Sequence, residues 1–250
     1  MSIGGLPYSP EPHGIFMAHA YAESPALGQL AVSYILAYYR TEKGGFRGGP
    51  PGELTVTQES DWNHVCAEKD IGDLWTADDS LTTRGQAKQR LAGLYGALDV
   101  TSHTAAVRLA YEEERETVEV APGELNVSPL SLATVDLWTR GVRHSQISRL
   151  TGDAPNTCRI RRVPEVLDAL HMRSMSPGEA QNMSQLARWA RVVKRLYELS
   201  IFTPGLALQR NLHAEHSGVV MRFDKAFGRG VPFKHLPGAP RYLPRKTAES

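Results

Sequence analysis

Ser-Pro dipeptides stand directly before long apolar stretches in this sequence, and they constrain the fold more than any other feature. At Ser24-Pro25, Ser128-Pro129 and Ser176-Pro177, a side chain that can cap a helix precedes a residue tolerated at the first helical position. Glu179 completes a capping box at the third of them. Apolar side chains then recur at the period of an α-helix. The sequence therefore predicts a mainly α fold, a helical bundle with few short strands.

Shorter helices are expected between these starts, because apolar residues continue at helical spacing. The ranges are Thr83–Leu98, Ser145–Thr151, Pro155–Val163 and Pro164–Leu170. A further helix is expected to begin after Ser102, which caps it. Leu54–Thr57 and Val118–Val120 are candidate strands, since β-branched residues are enriched there. With 41% hydrophobic and 22% charged residues, the chain can bury a sizeable core.

Charge is divided unevenly along the chain. Residues 1–136 hold 9 Lys and Arg against 19 Asp and Glu, whereas residues 137–250 hold 19 against 8, so the net charges are −10 and +11. We predict an acidic helical domain over 1–125, a basic domain over 126–216 and a basic, Gly/Pro-rich tail over 217–250. Such a basic half suits a polyanion such as a nucleic acid. The alternative is that the two halves pack together and screen each other's charge.

The cysteines indicate a reducing compartment, and the apolar segments indicate a protein outside the membrane. Cys66 and Cys158 belong to no CxxC or His-rich cluster, which argues against a disulfide framework and a zinc ribbon. Residues 1–14 lack the basic and apolar regions of a signal peptide. Leu27–Tyr39 is too short to span a bilayer. We expect a cytoplasmic protein that makes no membrane contact and needs no cofactor.

The segment Leu137–Val163 carries the pattern that points most directly to a function. A short helix brings Ile147 followed by the small Ser148, and Gly152 stands four residues later. The next helix opens with Asn156-Thr157. A small residue such as Ser148 lets two helices cross closely, and Gly152 can adopt the left-handed conformation that reverses the chain.

This pattern resembles the helix-turn-helix of bacterial regulators and DNA recombinases. The resemblance implies that the second helix enters the major groove of DNA. Asn156 and Arg159 would then face base edges, because Asn suits adenine and Arg suits guanine. Arg143, Arg149 and Arg162 are expected at phosphates, which position the protein without specifying sequence. Thr157 and Arg161 are also predicted to bind DNA. A later helix adds a face with Arg188, Arg191 and Arg195 to this set.

Three positions depart from the family pattern. Aliphatic residues are usual where Cys158 and Arg161 stand, so that Ile160 and Arg161 look exchanged. Asp153 replaces an apolar turn residue, and its charge would repel phosphate if it faced DNA. These departures leave the register of the second helix open.

Two further stretches show weaker similarities. Pro164–Leu170 and Met175–Ala180 resemble the segment after the helix-turn-helix of ParB-type partition proteins, which implies that residues 164–199 support the second helix. Leu94–Leu109 loosely fits another helix-turn-helix. The acidic run Glu112–Glu116 would oppose DNA there, and an ordinary helical hairpin is favoured.

The favoured hypothesis is a sequence-specific regulator of a bacterium, phage or mobile element that binds double-stranded DNA, with an acidic half that dimerises or contacts another protein. The alternative is a non-catalytic subunit of a nucleoprotein assembly, such as a CRISPR effector or a phage complex, that holds DNA or RNA. A metal-dependent nuclease is a third hypothesis, based on acids such as Asp61 and Asp70. No lysine stands suitably beside them, and His213-Ala-Glu-His216 lacks an evident third ligand. We therefore expect no enzymatic activity and no metal site.

Overall fold

The structure, a computed structural model, is mainly helical, as the sequence predicts. It describes residues 2–3, 6–7, 13–43, 54–67, 83–113, 115–121, 123–172 and 185–204. Strands β1 (Ser2–Ile3) and β2 (Leu6–Pro7) pair antiparallel, with Ser2 opposite Pro7. No helix among the described residues is both long and apolar enough to cross a bilayer.

Nine helical segments follow within the described ranges, and we number them in chain order. The first seven are α1 (His13–Glu23), α2 (Pro25–Lys43), α3 (Val56–Cys66), α4 (Arg84–Ala97), α5 (His103–Glu112), α6 (Pro129–Thr139) and α7 (His144–Thr151). Helix α8 runs without a break through Pro155–Thr157, Cys158–Arg162 and Val163–Ala169. Helix α9 is Gln185–Glu198.

Side-chain caps begin several helices where the sequence predicts them. Ser24 Oγ accepts from the Leu27 amide at the start of α2, and Ser128 Oγ accepts from the Ser131 amide at the start of α6. Thr83 and Ser102 cap α4 and α5 in the same way. Each cap satisfies an amide that has no partner inside its helix. The helix start at Ser176 lies outside the described residues.

Both candidate strands are wrong. Thr55 caps α3, because its hydroxyl accepts from the Gln58 amide while the Gln58 side chain accepts from the Thr55 amide. This reciprocal capping box makes Val56 the first residue of a helix. Val118–Val120 is irregular, and the adjoining Ala121 amide donates to the Glu198 carbonyl over 2.9 Å.

The predicted break between Val163 and Pro164 is also wrong. Residues Cys158–Arg162 form a π-helical turn, in which the Val163 amide donates to the Cys158 carbonyl, five residues back. Pro164 follows directly. A proline inside a helix lacks an N–H and crowds the carbonyl four residues earlier, here that of Ile160. We attribute the wider turn to this crowding, since it lets the helix continue to Ala169.

Helix α6 lies at the centre of the fold. It packs against α1, α2, α5, α7 and α8, and all its residues from 131 to 137 are buried. One buried cluster extends from Met17 to Phe202, so both predicted domains contribute side chains to it. Aromatic side chains also contact one another beside this cluster. For example, the ring centroids of Trp138 of α6 and Trp189 of α9 lie 4.7 Å apart.

Helix α5 excludes the second candidate helix-turn-helix at Leu94–Leu109. Every residue of α5 is buried, so none of its side chains can reach into a groove. Helices α4 and α5 cover this range, and each of them packs against α3. That they pair with each other as an ordinary helical hairpin stays a prediction.

A buried ionic network joins four helices around Asp136. Arg108 Nη1 of α5 lies 2.5 Å from Asp136 Oδ1, and Arg140 Nε lies 2.7 Å from the same oxygen. The Tyr21 hydroxyl of α1 donates to Asp136 Oδ2 over 2.6 Å. From α9, the Tyr197 hydroxyl donates to Glu112, which also pairs with Arg108. Burial by itself raises the pKa of Asp136, but Arg108 and Arg140 outweigh it and hold that pKa below its usual value.

Candidate nucleic-acid interface

Helices α7 and α8 form a hairpin whose turn has the predicted chemistry. Gly152 adopts a φ of 76°, in the left-handed region, and its amide donates to the Ser148 carbonyl over 2.9 Å. The Ser148 hydroxyl donates to the Asp153 carbonyl over 2.5 Å. Glycine meets this φ without a Cβ penalty, and the small serine closes the turn from inside.

The inner face of the hairpin is part of the core. Ile147, Leu150 and Cys158 are buried, and the Thr151 hydroxyl donates to the Ile147 carbonyl over 2.9 Å. Helix α1 packs closely here, because a Cβ added at Gly14 would overlap the Thr151 carbonyl. The hairpin is therefore held in position by α1 as well as by α6.

The second half of α8 is fixed to the start of α6. Glu165 accepts from the Ser128 amide over 2.6 Å and from the Ser131 hydroxyl over 2.7 Å. Burial alone would raise the pKa of Glu165, but these hydrogen bonds outweigh it and lower that pKa. The carboxylate thus satisfies polar groups at the start of a helix, where negative charge is favoured.

Arg162 pairs with Asp153 inside the hairpin, and its role at a phosphate stays a prediction. Its Nε donates to Asp153 Oδ2 over 2.8 Å, and its Nη1 donates to the Ser128 hydroxyl over 3.3 Å. The two side chains of the pair are only 15% and 19% exposed. The pair also bears on the expected repulsion between Asp153 and phosphate, since Arg162 neutralises the charge of the Asp153 carboxylate.

The outer face of α8 carries the other predicted residues. Asn156, Arg159 and Arg161 are exposed, while Thr157 is half-buried. Ile160 lies between the two arginines and is 68% exposed.

The π turn explains the apparent exchange of Ile160 and Arg161. Cys158 and Val163 are both buried, although they are five residues apart. A regular α-helix would return to the buried face three or four residues after Cys158, at Arg161 or Arg162. Because the π turn adds a residue, Val163 takes that place, and both Ile160 and Arg161 lie outside.

Helix α7 adds positive charge beside this face. Arg143 precedes α7 and Arg149 lies in its last turn, and both are exposed. His144 is half-buried, and burial together with the positive charge of Arg159 lowers its pKa. The sequence alone does not show that His144 lies near Arg159, because that proximity depends on how α7 and α8 cross.

The other three predicted arginines lie on α9, a helix separate from the hairpin. Helix α9 packs on α5. Arg191 and Arg195 are exposed, Arg188 is half-buried, and Arg195 Nη1 lies 2.8 Å from Glu198 Oε2. Seven of the predicted residues thus lie on α7, on α8 or directly before α7, and three lie on α9.

No group of three or more His, Cys, Asp or Glu side chains in the described ranges is arranged to hold a metal ion. Asp61 is buried and accepts from Arg90 Nε over 2.7 Å. Asp70, His213 and His216 lie outside the described residues.

Comparison of the chain with family models, curated proteins and solved structures finds no match.

Proposed function

We propose that the chain binds double-stranded DNA in a sequence-specific manner through α7 and α8, as a transcriptional regulator of a bacterium, phage or mobile element. The observation that carries the proposal is the exposed face of α8. Asn156, Arg159 and Arg161 point away from the core on a helix that begins directly after the Gly152 turn. A helix in this setting can enter the major groove with its first turns leading.

The frame behind that face supports the proposal. Helices α6, α7 and α8 pack on one another, and the Asp153–Arg162 pair and Glu165 fix the orientation of α8 within this unit. A side chain that reads a base edge must be held to within a fraction of an ångström of its productive geometry. A rigid helix supported on its inner face meets that need.

The proposed division of labour follows from side-chain chemistry. Arg159 would donate two hydrogen bonds to guanine, and Asn156 would pair with adenine. Arg143 and Arg149 stand at the two ends of α7 and would contact phosphates on either side of the groove. Thr157 and Arg161 would contact the sugar-phosphate backbone of the DNA next to α8.

The test is a selection of bound sequences from a random duplex pool, followed by mobility shifts with the recovered duplex. We expect Arg159→Ala and Asn156→Ala each to weaken binding by about 10- to 100-fold, which corresponds to about 1–3 kcal/mol for a bidentate base contact. Arg84→Ala removes an equally exposed arginine from the acidic part of the chain and should leave binding unchanged. If both α8 variants bind like the wild type, the proposal fails.

The same pool reports on the oligomeric state. We expect a homodimer, and a two-fold symmetric protein selects two half-sites about one helical turn apart or a multiple of it. A single asymmetric site would indicate a monomer at the DNA.

A second candidate function is favoured by the arginines of α9. Arg191 is exposed on a helix separate from the hairpin, as would suit a non-catalytic subunit that holds DNA or RNA along an extended path. Such binding shows a steep salt dependence without sequence preference. Equal affinity for the selected duplex, a random duplex and a single-stranded RNA would favour this function.

A further inference from the structure

Ile160 is an exposed apolar side chain in the middle of the proposed DNA-binding face. It is 68% exposed and lies between the exposed Arg159 and Arg161. The other large exposed apolar residues of the described ranges, Ile15, Val56 and Val120, stand outside α7 and α8. The fold therefore gains little from Ile160, although isoleucine is a residue normally found in cores.

The outward position of Ile160 is fixed by the backbone. The hydrogen bond from the Val163 amide to the Cys158 carbonyl closes the π turn around it, and the buried side chains of Cys158 and Val163 hold both ends of that turn in the core. Turns of this kind are frequent at functional sites. Ile160 is thus presented on a supported helix and not on a loop end.

The neighbours of Ile160 restrict what it can contact. An apolar pocket of a partner protein would have to bury Arg159 and Arg161 along with it, and an unpaired buried charge is costly. A surface that offers hydrogen-bond acceptors around an isolated apolar group fits the set better. The major groove of B-DNA is such a surface, and its apolar group is the C5-methyl of thymine.

We propose that Ile160 contacts the C5-methyl group of a thymine, so that the protein prefers thymine to a pyrimidine without this methyl group at one position of its site. This inference rests on the proposed function and adds a specificity-determining residue to it. Arg159 and Asn156 would read neighbouring base pairs by hydrogen bonds, while Ile160 reads a methyl group by burying it.

Deoxyuridine tests the inference, because it removes only the methyl group and keeps the base pairing. Each thymine of the selected duplex is replaced in turn, and the dissociation constants are measured for the wild type and for Ile160→Ala. Burying one methyl group is worth about 0.8 kcal/mol, so we expect about a fourfold loss for the wild type at one thymine. Ile160→Ala should bind the thymine duplex about fourfold more weakly and should not distinguish the two bases at that position.

Val56→Ala is the matched control, since Val56 is 90% exposed at the start of α3. The Val56→Ala variant should distinguish thymine from deoxyuridine as the wild type does. The thermal midpoint of Ile160→Ala should match that of the wild type, because the Ile160 side chain adds little to the core. The inference is overturned if the wild type binds its selected duplex but treats thymine and deoxyuridine alike at every position, or if Ile160→Ala still discriminates. In both cases the proposed function stands, whereas a wild type that selects no sequence overturns both.

Discussion

The guanidinium of Arg162 pairs with the carboxylate of Asp153 across the turn between α7 and α8, with 2.8 Å between Nε and Oδ2. Both partners are largely shielded from water. The pair links the residue after Gly152 to the second turn of α8. It therefore fixes the angle at which α8 leaves the turn.

Removal of this pair should loosen the hairpin. We expect Arg162→Ala and Asp153→Ala each to lower the free energy of unfolding by about 1–2 kcal/mol, because each leaves a half-buried charge without its partner. Urea unfolding of both variants and of the double variant gives the coupling energy, expected near 1 kcal/mol. Strictly additive losses would show that the two side chains do not stabilise each other.

Gly152 should tolerate no side chain. Its φ of 76° is unfavourable for residues with a Cβ, so Gly152→Ala should destabilise the protein by about 1–2 kcal/mol in thermal or urea unfolding. Gly93→Ala in α4 is the control, because a Cβ there meets nothing within 4 Å. That variant should gain about 0.5–1 kcal/mol from helix propensity. Equal effects of the two changes would contradict the left-handed turn.

Asp136 should be the most sensitive charged position in the described core. Asp136→Asn leaves Arg108 and Arg140 buried with one counter-charge fewer, and loss of one partner from a buried pair costs about 3–5 kcal/mol. Chemical unfolding measures this directly. Glu119→Gln changes an exposed carboxylate and should stay within about 0.5 kcal/mol. A small effect at Asp136 would mean that water reaches the network.

His103 should make the stability depend on pH. Burial lowers its pKa from 6.5 to about 4, and its Nδ1 lies 2.9 Å from the Tyr95 hydroxyl. Between these two pKa values the unfolded chain binds a proton that the folded chain does not, so stability is complete above pH 6.5 and falls as the pH is lowered.

Unfolding free energies at pH 6.5 and pH 5 measure this contribution. We expect a loss of about 1.5 kcal/mol from His103 over this interval, and His103→Gln should remove it from the total. An unchanged pH dependence in His103→Gln would assign the loss to other groups.

Local features of the fold could be predicted from the sequence, because their causes lie within a few residues. Ser128 caps α6 through a residue three positions away. The turn at Gly152 depends only on the φ of that one residue. The π turn could not be predicted in this way, since it combines the crowding by Pro164 with the burial of both Cys158 and Val163. For the same reason the sequence pattern does not predict the outward position of Ile160.

Contacts between distant residues were also beyond the sequence pattern. Tyr21 and Asp136 are 115 residues apart and share a hydrogen bond, and neither shows any local sign of it. The pairing of Arg162 with Asp153 depends on the angle between α7 and α8, so Arg162 looked like the other exposed arginines.

The position of α6 also limits how the hairpin can be transplanted. A fragment that starts at residue 126 keeps α6, α7 and α8 but loses Tyr21 and Arg108, which surround Asp136. It also uncovers the apolar surface that α1, α2 and α5 protect. Anyone who grafts the hairpin onto another carrier would need to bring those helices along, or redesign Asp136 and its surroundings for exposure to water.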